Sequence, residues 1–350
     1  MNSSGRKTVS QASIAKKTGL ARTTVSIALG GGGALAKKTV ERVLRAAQEL
    51  GYQPNRLVRA MRSGRTGMVG VMIPPRETFW SEITCGIHDV LVARSYVPLG
   101  LWIPRASNEE SEQAGVEAIQ RLLQWRVDGV ILYPWFAMTY EKHLAEFSRR
   151  NLPLVTIDCD LPSVPGLDVV RSDEKKAGQL VAEHLYLLGH RRVLYFSGPS
   201  NEGWWSRERL ESFTGQWLAR PDATAEVVAV PSSGDFDPII AEGIRSHSDC
   251  SAIYAATNRI GQSVLRVCRN LGIKIPEKIS LVVFAGSNGV PGAPGSGFLT
   301  TIQQAPYEIG KTAADFLLHR ISKKWDRYPK QEARIPVQII DGESTAPKIN

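Results

Sequence analysis

The chain has 350 residues, 43% of them hydrophobic and 22% charged, which is enough for two or three domains with a sizeable core. It holds no run that approaches the roughly 18–20 apolar residues of a membrane-spanning helix, and its first residues lack the apolar stretch of a secretory signal. We therefore expect a cytoplasmic protein.

The net charge of +9 is concentrated at the amino end of the chain. Residues 1–66 hold 13 Lys and Arg against two Glu, a net charge of +11, whereas the remaining residues hold 30 basic and 32 acidic side chains. A basic segment attached to a near-neutral body predicts that the segment binds a polyanion.

Residues 8–53 predict a small domain of three short helices. Ser10 is placed to cap a first helix over about 11–18, and Gly19 is placed to end it. A second helix covers about 22–30 after a tight turn. The residues of this second helix that we expect to face the core are Val25, Ala28 and Leu29.

The third helix shows the i, i+3, i+4, i+7 spacing of a stripe that faces a core. The residues of the stripe are Val40, Val43, Leu44 and Ala47. Gly51 stops this helix and Pro54 prevents its restart. Two helices joined by a turn, with a third in support, are typical of a helix-turn-helix domain. Residues 54–66 are basic and only weakly helical, so they read as a linker.

Residues 67–350 alternate between apolar strand-like runs and helical segments, which predicts parallel sheets covered by helices on both faces. The strand-like runs are 68–74, 97–103, 129–134, 152–158, 191–198, 251–257 and 279–285. The length exceeds one typical domain, so we expect two α/β lobes. The predicted lobes are about 67–163 with 299–328, and about 164–298 with 329–350. A ligand is then expected at the carboxyl ends of the strands, between the lobes.

Several motifs resemble one known family. They are TTVSIAL (23–29), TVERVLRAAQELGYQPN (39–55), LGHRRVLYFSGP (188–199), ISLVVFA (279–285) and LTTIQQ (299–304), with Arg207 and Phe213 at the family's downstream Arg and aromatic positions. Together they resemble the lactose/galactose-repressor (LacI/GalR) family of bacterial transcriptional regulators over essentially the whole chain.

The resemblance implies a helix-turn-helix DNA-binding head, a hinge helix over 54–66 and a periplasmic-binding-protein-like core of two lobes. It further implies a homodimer that binds a palindromic double-stranded DNA operator, usually as a repressor. A small-molecule effector related to carbohydrates is expected to bind between the lobes and to change the affinity for DNA.

The resemblance makes the second helix the recognition helix, with Arg22 and Thr23 at the main base-reading positions. Arg can bond guanine O6 and N7 together, and Thr can bond a base edge or touch a thymine methyl. An alternative is that Arg22 contacts phosphate only. The family usually has Arg where Ile27 stands, and Ile can only pack or meet a thymine methyl.

Other residues of the head are expected to hold the DNA backbone, which fixes register without reading sequence. The expected phosphate contacts are Thr24, Ser26, Lys37, Lys38 and Thr39. Ala21 and Ala36 replace the Ser or Thr that often caps the second and third helices in the family. In the hinge, Asn55 matches the family Asn, and Met61 stands where the family usually has a Leu wedge between base steps.

The resemblance also implies the residues of the effector site. They are Phe79, Trp80, Trp135, Asp158, Trp205, Arg207, Phe236, Asn258 and Ala285. Ala285 stands where sugar-binding members have an Asp, and Arg259 stands where the family commonly has another Asp. A carboxylate lost and a cation gained predict a ligand more anionic, or less dependent on hydroxyls, than a plain hexose. A sugar acid, a phosphorylated sugar or another carboxylate fits that description.

No motif in the sequence points to catalysis. The chain lacks GxGxxG after a strand, GxSxG, a P-loop and HExxH, and its four cysteines are scattered without a CxxC pair. We therefore expect no enzyme activity, no catalytic residues, no cofactor and no metal site. One alternative is a DNA-binding architectural protein whose core only dimerises and has lost its response to an effector.

Overall fold

The computed structural model divides into two compact units, Met1–Thr66 and Gly67–Asn350. The described residues are 9–30, 33, 35–52, 64–74, 78–102, 109–134, 137–161, 164, 167–198, 203–231, 234–285, 297–322 and 329–348, without the side chains of 109–111, 137–141, 203–205 and 285. In these residues the first unit is all helical and the second alternates strands with helices.

Three helices build the first unit: α1 (Gln11–Thr18), α2 (Arg22–Leu29) and α3 (Lys37–Glu49). Ser10 caps α1 through a reciprocal pair of hydrogen bonds with Ser13, and Gly19 ends the helix at a φ of 65°. The core of the unit is formed by Ile14, Val25, Ala28, Val43, Ala46 and Ala47.

Two details of this unit bear on the predictions. Neither Ala21 nor Ala36 makes a side-chain cap, so α2 and α3 begin with backbone N–H groups that no cap side chain satisfies. Leu44 is 50% exposed, so its predicted place in the core-facing stripe is wrong. Ala46 takes that place, because residues 43, 46 and 47 turn one face of α3 inward.

The second unit contains twelve strands and eight helices within its described residues. The strands are β1 (Met68–Met72), β2 (Val97–Gly100), β3 (Gly129–Leu132), β4 (Leu154–Ile157), β5 (Asp168–Ser172), β6 (Arg192–Ser197), β7 (Thr224–Ala229), β8 (Ala252–Ala255), β9 (Ser280–Ala285), β10 (Thr300–Gln303), β11 (Glu332–Ile335) and β12 (Gln338–Ile340). The helices are α4 (Thr78–Ala93), α5 (Glu109–Gln124), α6 (Ala137–Arg149), α7 (Glu174–Leu187), α8 (Gly203–Leu218), α9 (Asp237–Ser246), α10 (Asn258–Asn270) and α11 (Pro306–Ser322).

The strands form two six-stranded sheets, ordered β11-β5-β4-β3-β1-β2 and β12-β10-β9-β8-β6-β7. All pairs are parallel except β10 with β12. The central strands are fully buried, as the apolar runs in the sequence predict. Each sheet is the centre of one lobe with its own apolar core.

The chain passes between the lobes three times, and at each passage the strand order contradicts the predicted lobe boundary. β5 and β11 belong to the first sheet, although their residues were predicted in the second lobe. β10 belongs to the second sheet, although its residues were predicted in the first. These strands are short, and their sequences DVVRS, TTIQ and EARI mix polar with apolar residues, so no apolar run marks them.

Candidate nucleic-acid interface and ligand site

The exposed surface of α2 is built by residues one helical turn apart. Val25 and Ala28 turn into the core of the first unit, and this leaves one side of the helix facing outward. We call that side the outward face of α2; its residues are Arg22, Thr23, Ser26 and Ile27. Arg22, Thr23 and Ile27 are exposed and Ser26 is half-buried, as is the neighbouring Thr24.

The first turn of α3 presents a second group of predicted contacts. Lys37 and Lys38 are exposed there and Thr39 is half-buried. Because Ala36 provides no side-chain cap, no capping side chain competes for the N–H groups at the positive end of the helix dipole. This arrangement suits a phosphate oxygen. The predicted hinge contacts Asn55 and Met61 lie outside the described residues.

Not every basic side chain of the first unit is placed for an external anion. Arg42 donates from Nη2 to the carbonyl oxygen of Thr18 at the end of α1. Lys17 Nζ lies 2.7 Å from Glu49 Oε2, and the hydrogen bond from Lys17 lowers the pKa of that carboxyl. These contacts brace the helices against one another, which the net charge of the segment does not reveal.

In the second unit, Asp158 lies directly after β4 and is buried. Its φ is 54°, and its Oδ1 accepts a hydrogen bond of 3.3 Å from the backbone N–H of Ser172. Burial, followed by repulsion from Glu174, raises the pKa of Asp158 to about 7. A buried carboxyl with this pKa exchanges its proton near neutrality.

Two predicted aromatic residues of the first lobe lie at the start of α4. Trp80 is 7% exposed, and its ring centroid is 4.5 Å from that of Tyr133 and 5.0 Å from that of Phe79. Trp80 is therefore largely part of the lobe core, and Phe79 covers it as a half-buried residue. Trp135 lies outside the described residues.

The predicted residues of the second lobe lie on helices that follow neighbouring strands. Arg207 is exposed on α8, which follows β6, and Asn258 is exposed as the first residue of α10, which follows β8. Phe236 is buried beneath Arg259, whose guanidinium carbon is 4.2 Å from the ring centroid. The side chains of Trp205 and Ala285 lie outside the described part of the chain.

A buried ion pair that the sequence analysis missed lies beside Asp158. Arg209 Nε donates to Glu174 Oε2 at 2.7 Å, with both side chains 2% exposed. The Arg209 guanidinium carbon is 3.2 Å from the ring centroid of Phe284, and Nη1 donates to the carbonyl oxygen of Ala256. We call Asp158, Glu174 and Arg209 the buried cluster, since the charges of all three interact.

The sequence does contain a signal for Arg209. It precedes the buried Phe213 by four residues on α8, so both lie on the inner face of that helix, while Arg207 lies on another face. Tyr195 and Tyr254 are fully buried near this pair and interact electrostatically with Arg209. Their hydroxyl groups have no hydrogen-bond partner among the described residues.

Polar contacts join the two lobes around the buried cluster. Gln304 Nε2, after β10, donates to Ser172 Oγ of β5 at 2.7 Å. Arg334 on β11 of the first sheet donates to Glu208 on α8 of the second lobe at 2.6 Å, and to Glu332 at 3.1 Å. A change in the angle between the lobes therefore has to alter ion pairs that flank the predicted ligand residues.

Neither a membrane-spanning helix nor a cluster of metal-ligating side chains is found in the described residues. No helix among them has the length and apolar character needed to cross a membrane. No group of three or more His, Cys, Asp and Glu side chains in that part of the chain is arranged to hold a metal ion.

Two family models match the chain in the order of its two units. The model described as bacterial regulatory proteins of the lacI family matches residues 12–55. The model of a periplasmic binding protein-like domain matches residues 182–345.

Relatives match over nearly the whole length. The ribose operon repressor of Halalkalibacterium halodurans is 27% identical over 340 residues, 95% of this chain and 96% of that protein. The HTH-type transcriptional regulator PtxS of Pseudomonas aeruginosa is 28% identical over 356 residues, 99% of this chain and 98% of that protein. The fold resembles a crystal structure of the lac repressor dimer bound to operator and the anti-inducer ONPF, with a TM-score of 0.78, 22% identity, and coverage of 97% of this chain and 100% of that one. The chain thus belongs to the LacI/GalR family of bacterial transcriptional regulators, which are DNA-binding proteins and not enzymes.

Proposed function

We propose that this regulator is a cytoplasmic homodimer that binds a palindromic operator and represses transcription there. Residues 8–53 form the DNA-binding head, 54–66 the hinge and 67–350 the effector-binding and dimerisation core. The two-fold symmetry of a dimer matches a palindrome, since each head then meets an identical half-site. Relatives named as operon repressors support this assignment.

One observation carries the proposal above all others. α2 is the second helix of a helix-turn-helix unit, and its outward face combines Arg22, Thr23 and Ile27 in exposed positions. A helix of this kind lies in the major groove, where a guanidinium and a hydroxyl can bond base edges. Lys37 and Lys38 at the start of α3 are then available for phosphates.

Selection from a pool of random duplexes tests the proposal with the full-length chain. We expect enrichment of a palindrome that is bound about 10³-fold or more tightly than random DNA at the same salt concentration. An architectural protein would bind the pool without enriching a palindrome, and that result would contradict sequence-specific regulation.

We further propose that an anionic small molecule, such as a sugar acid or a phosphorylated sugar, is the effector. The exposed cations Arg207 and Arg259 support this class, because they follow the neighbouring strands β6 and β8 and so belong to one edge of the sheet. Asn258 and Asp158 supply polar groups at the carboxyl ends of the strands, where ligands of α/β folds bind. By changing the angle between the lobes, the effector shifts the affinity for DNA in proportion to its differential affinity for the two states.

Calorimetry with a panel of neutral sugars, sugar acids and sugar phosphates tests the effector class. We expect heats of binding from one of the anionic compounds and none from its neutral counterpart. Arg259→Ala should weaken that binding, whereas Arg245→Ala, which removes an arginine on α9, should leave it unchanged. Tight binding of a neutral sugar without any response to acids would contradict this part of the proposal.

A further inference from the structure

An apolar side chain lies exposed on the outward face of α2, the surface proposed to read DNA. Ile27 is 48% exposed and is not one of the residues that form the apolar core of the first unit. The backbone of Gly33, after the helix, runs beside it, since a Cβ at that glycine would be 3.6 Å from Ile27 Cγ2. The head therefore holds this side chain at its surface without using it as a core residue.

Helical geometry puts Ile27 into one row with a second methyl-bearing residue. Thr23 lies four residues earlier, and both are exposed, so their side chains are neighbours on the outward face of α2. Arg22 and Ser26 form the adjacent row, with the same spacing. The outward face therefore has a polar side and a side that ends in methyl groups.

A branched apolar side chain can distinguish base pairs in the major groove in only one way. The groove presents hydrogen-bonding groups from every base and a single apolar group, the C5 methyl of thymine. Ile27 has neither donor nor acceptor, so it gains from facing that methyl and loses when it covers a polar edge. We infer that α2 recognises a thymine in each half-site through its C5 methyl, by contact with the side chain of Ile27, which the methyl group of Thr23 flanks.

The spacing along the helix predicts where this thymine lies. Ile27 follows Arg22 by five residues, which is about 7.5 Å along the axis at 1.5 Å per residue. Base pairs are 3.4 Å apart, so the thymine is expected about two steps from the base that Arg22 contacts. The inference rests on the proposed function, because it needs α2 in the major groove.

Selections with and without the methyl group test the inference. Random duplex libraries are prepared with dTTP or with dUTP, which pairs identically but lacks the C5 methyl, and each is selected with the full-length chain. We expect the dTTP library to give an invariant thymine in each half-site, with no preference for uracil at that position in the other library. Replacing both thymines of the enriched duplex by uracil should weaken binding about fourfold per methyl, or about fifteenfold in all.

Two variants assign this effect to the side chain. Ile27→Ala should bind the thymine and uracil duplexes equally, and its exposed position makes a folded variant the expected outcome, checked by circular dichroism. Leu44→Ala, which truncates an exposed apolar residue of α3, should keep the full difference. A 5-methylcytosine·guanine pair at the same position should bind more tightly than cytosine·guanine with the wild type only.

The outcomes separate this inference from the proposed function. Equal affinity of the wild type for the thymine and uracil duplexes overturns methyl recognition while leaving sequence-specific binding intact. A difference that persists in Ile27→Ala overturns the assignment to this residue. Failure of both libraries to enrich any motif would instead contradict the proposed function.

Discussion

The folded state disfavours the ionised form of the Asp158 side chain. Its pKa is about 7, raised first by burial and then by Glu174, against an ordinary value of 3.8 in an exposed chain. The folded protein therefore binds this proton more tightly than the unfolded protein does. The contribution of this group to the free energy of unfolding is highest below about pH 4, falls as the pH rises to about 7, and is constant above that.

Replacement of Asp158 by Asn removes this dependence, because the amide cannot ionise. We expect Asp158→Asn to gain stability relative to the wild type between about pH 5 and about pH 8, as measured by urea unfolding at both pH values. The control is Asp160→Asn, which alters a partly exposed carboxylate paired with Lys330. Parallel pH profiles for wild type and Asp158→Asn would contradict the pKa given to this carboxyl.

The hydroxyl of Tyr254 is buried without a hydrogen-bond partner among the described residues. Its removal spares the folded state a desolvated polar group, so Tyr254→Phe is expected to raise the free energy of unfolding by about 1 kcal/mol. Tyr186→Phe is the control, because that hydroxyl donates to the exposed Asp222 at 3.3 Å and its loss brings no such gain. A loss of stability in Tyr254→Phe would show that the hydroxyl is satisfied in solution.

At the scale of the elements, the packing of α7 against α8 decides where Arg209 meets Glu174. Gly178 on α7 allows this approach, since a Cβ there would lie 2.6 Å from the carbonyl oxygen of Arg209 and 2.7 Å from the amide nitrogen of Phe213. Backbone atoms cannot move aside as the end of a side chain can. The glycine therefore keeps the two helices close and the buried ion pair in register.

Gly178→Ala is expected to destabilise the protein by about 1–3 kcal/mol, because the added methyl separates the two helices. Gly215→Ala supplies the matched control on α8, where a Cβ meets nothing within 4 Å. That control should gain about 0.5–1 kcal/mol from the better helix propensity of alanine. Equal effects of the two substitutions in thermal or urea unfolding would contradict the close packing of α7 on α8.

The elements that the sequence predicts well are those with strong local signals. Ser10 and Gly19 bound α1, and the unbroken apolar runs of β3, β4 and β8 mark buried strands. β5 was missed because its buried residues include Asp168 and Arg171, whose partners Arg320 and Glu332 come from distant segments. Long-range ion pairs of this kind make polar residues compatible with a buried strand, and no local pattern contains them.

In the candidate site, too, residues with a local sequence signal are predicted and residues that depend on long-range contacts are not. Helical periodicity predicts which residues of α2 are exposed. The alanines at positions 21 and 36 predict that α2 and α3 lack side-chain caps, and both caps are absent. Arg209 was missed because its buried position depends on Glu174, which only the crossing from β5 into α7 brings near it. The predicted Arg207 remains an exposed candidate two residues earlier on the same helix.

At the scale of the whole molecule, the charge of the chain is divided between a basic head and a near-neutral core. Affinity for DNA should therefore fall steeply with salt, with log K declining by about 0.9 for each phosphate neutralised per tenfold rise in salt. Lys37→Ala should reduce the magnitude of the slope of log K against log salt concentration by about one for each head engaged. Arg42→Ala should change this slope less, because Arg42 is bound to Thr18. Titrations at several salt concentrations measure both slopes, and a flat response would contradict the role of the head.

The central claim is that the outward face of α2 reads base sequence, and Arg22→Ala tests it most directly. The measurement is the affinity of wild type and variant for the enriched palindrome and for its four-base series at each symmetric position. We expect the variant to lose about 1–3 kcal/mol of discrimination per half-site at one symmetric pair of positions, with every other preference unchanged. An unaltered preference at all positions, with only a uniform loss of affinity, would contradict the claim and reduce Arg22 to a phosphate contact.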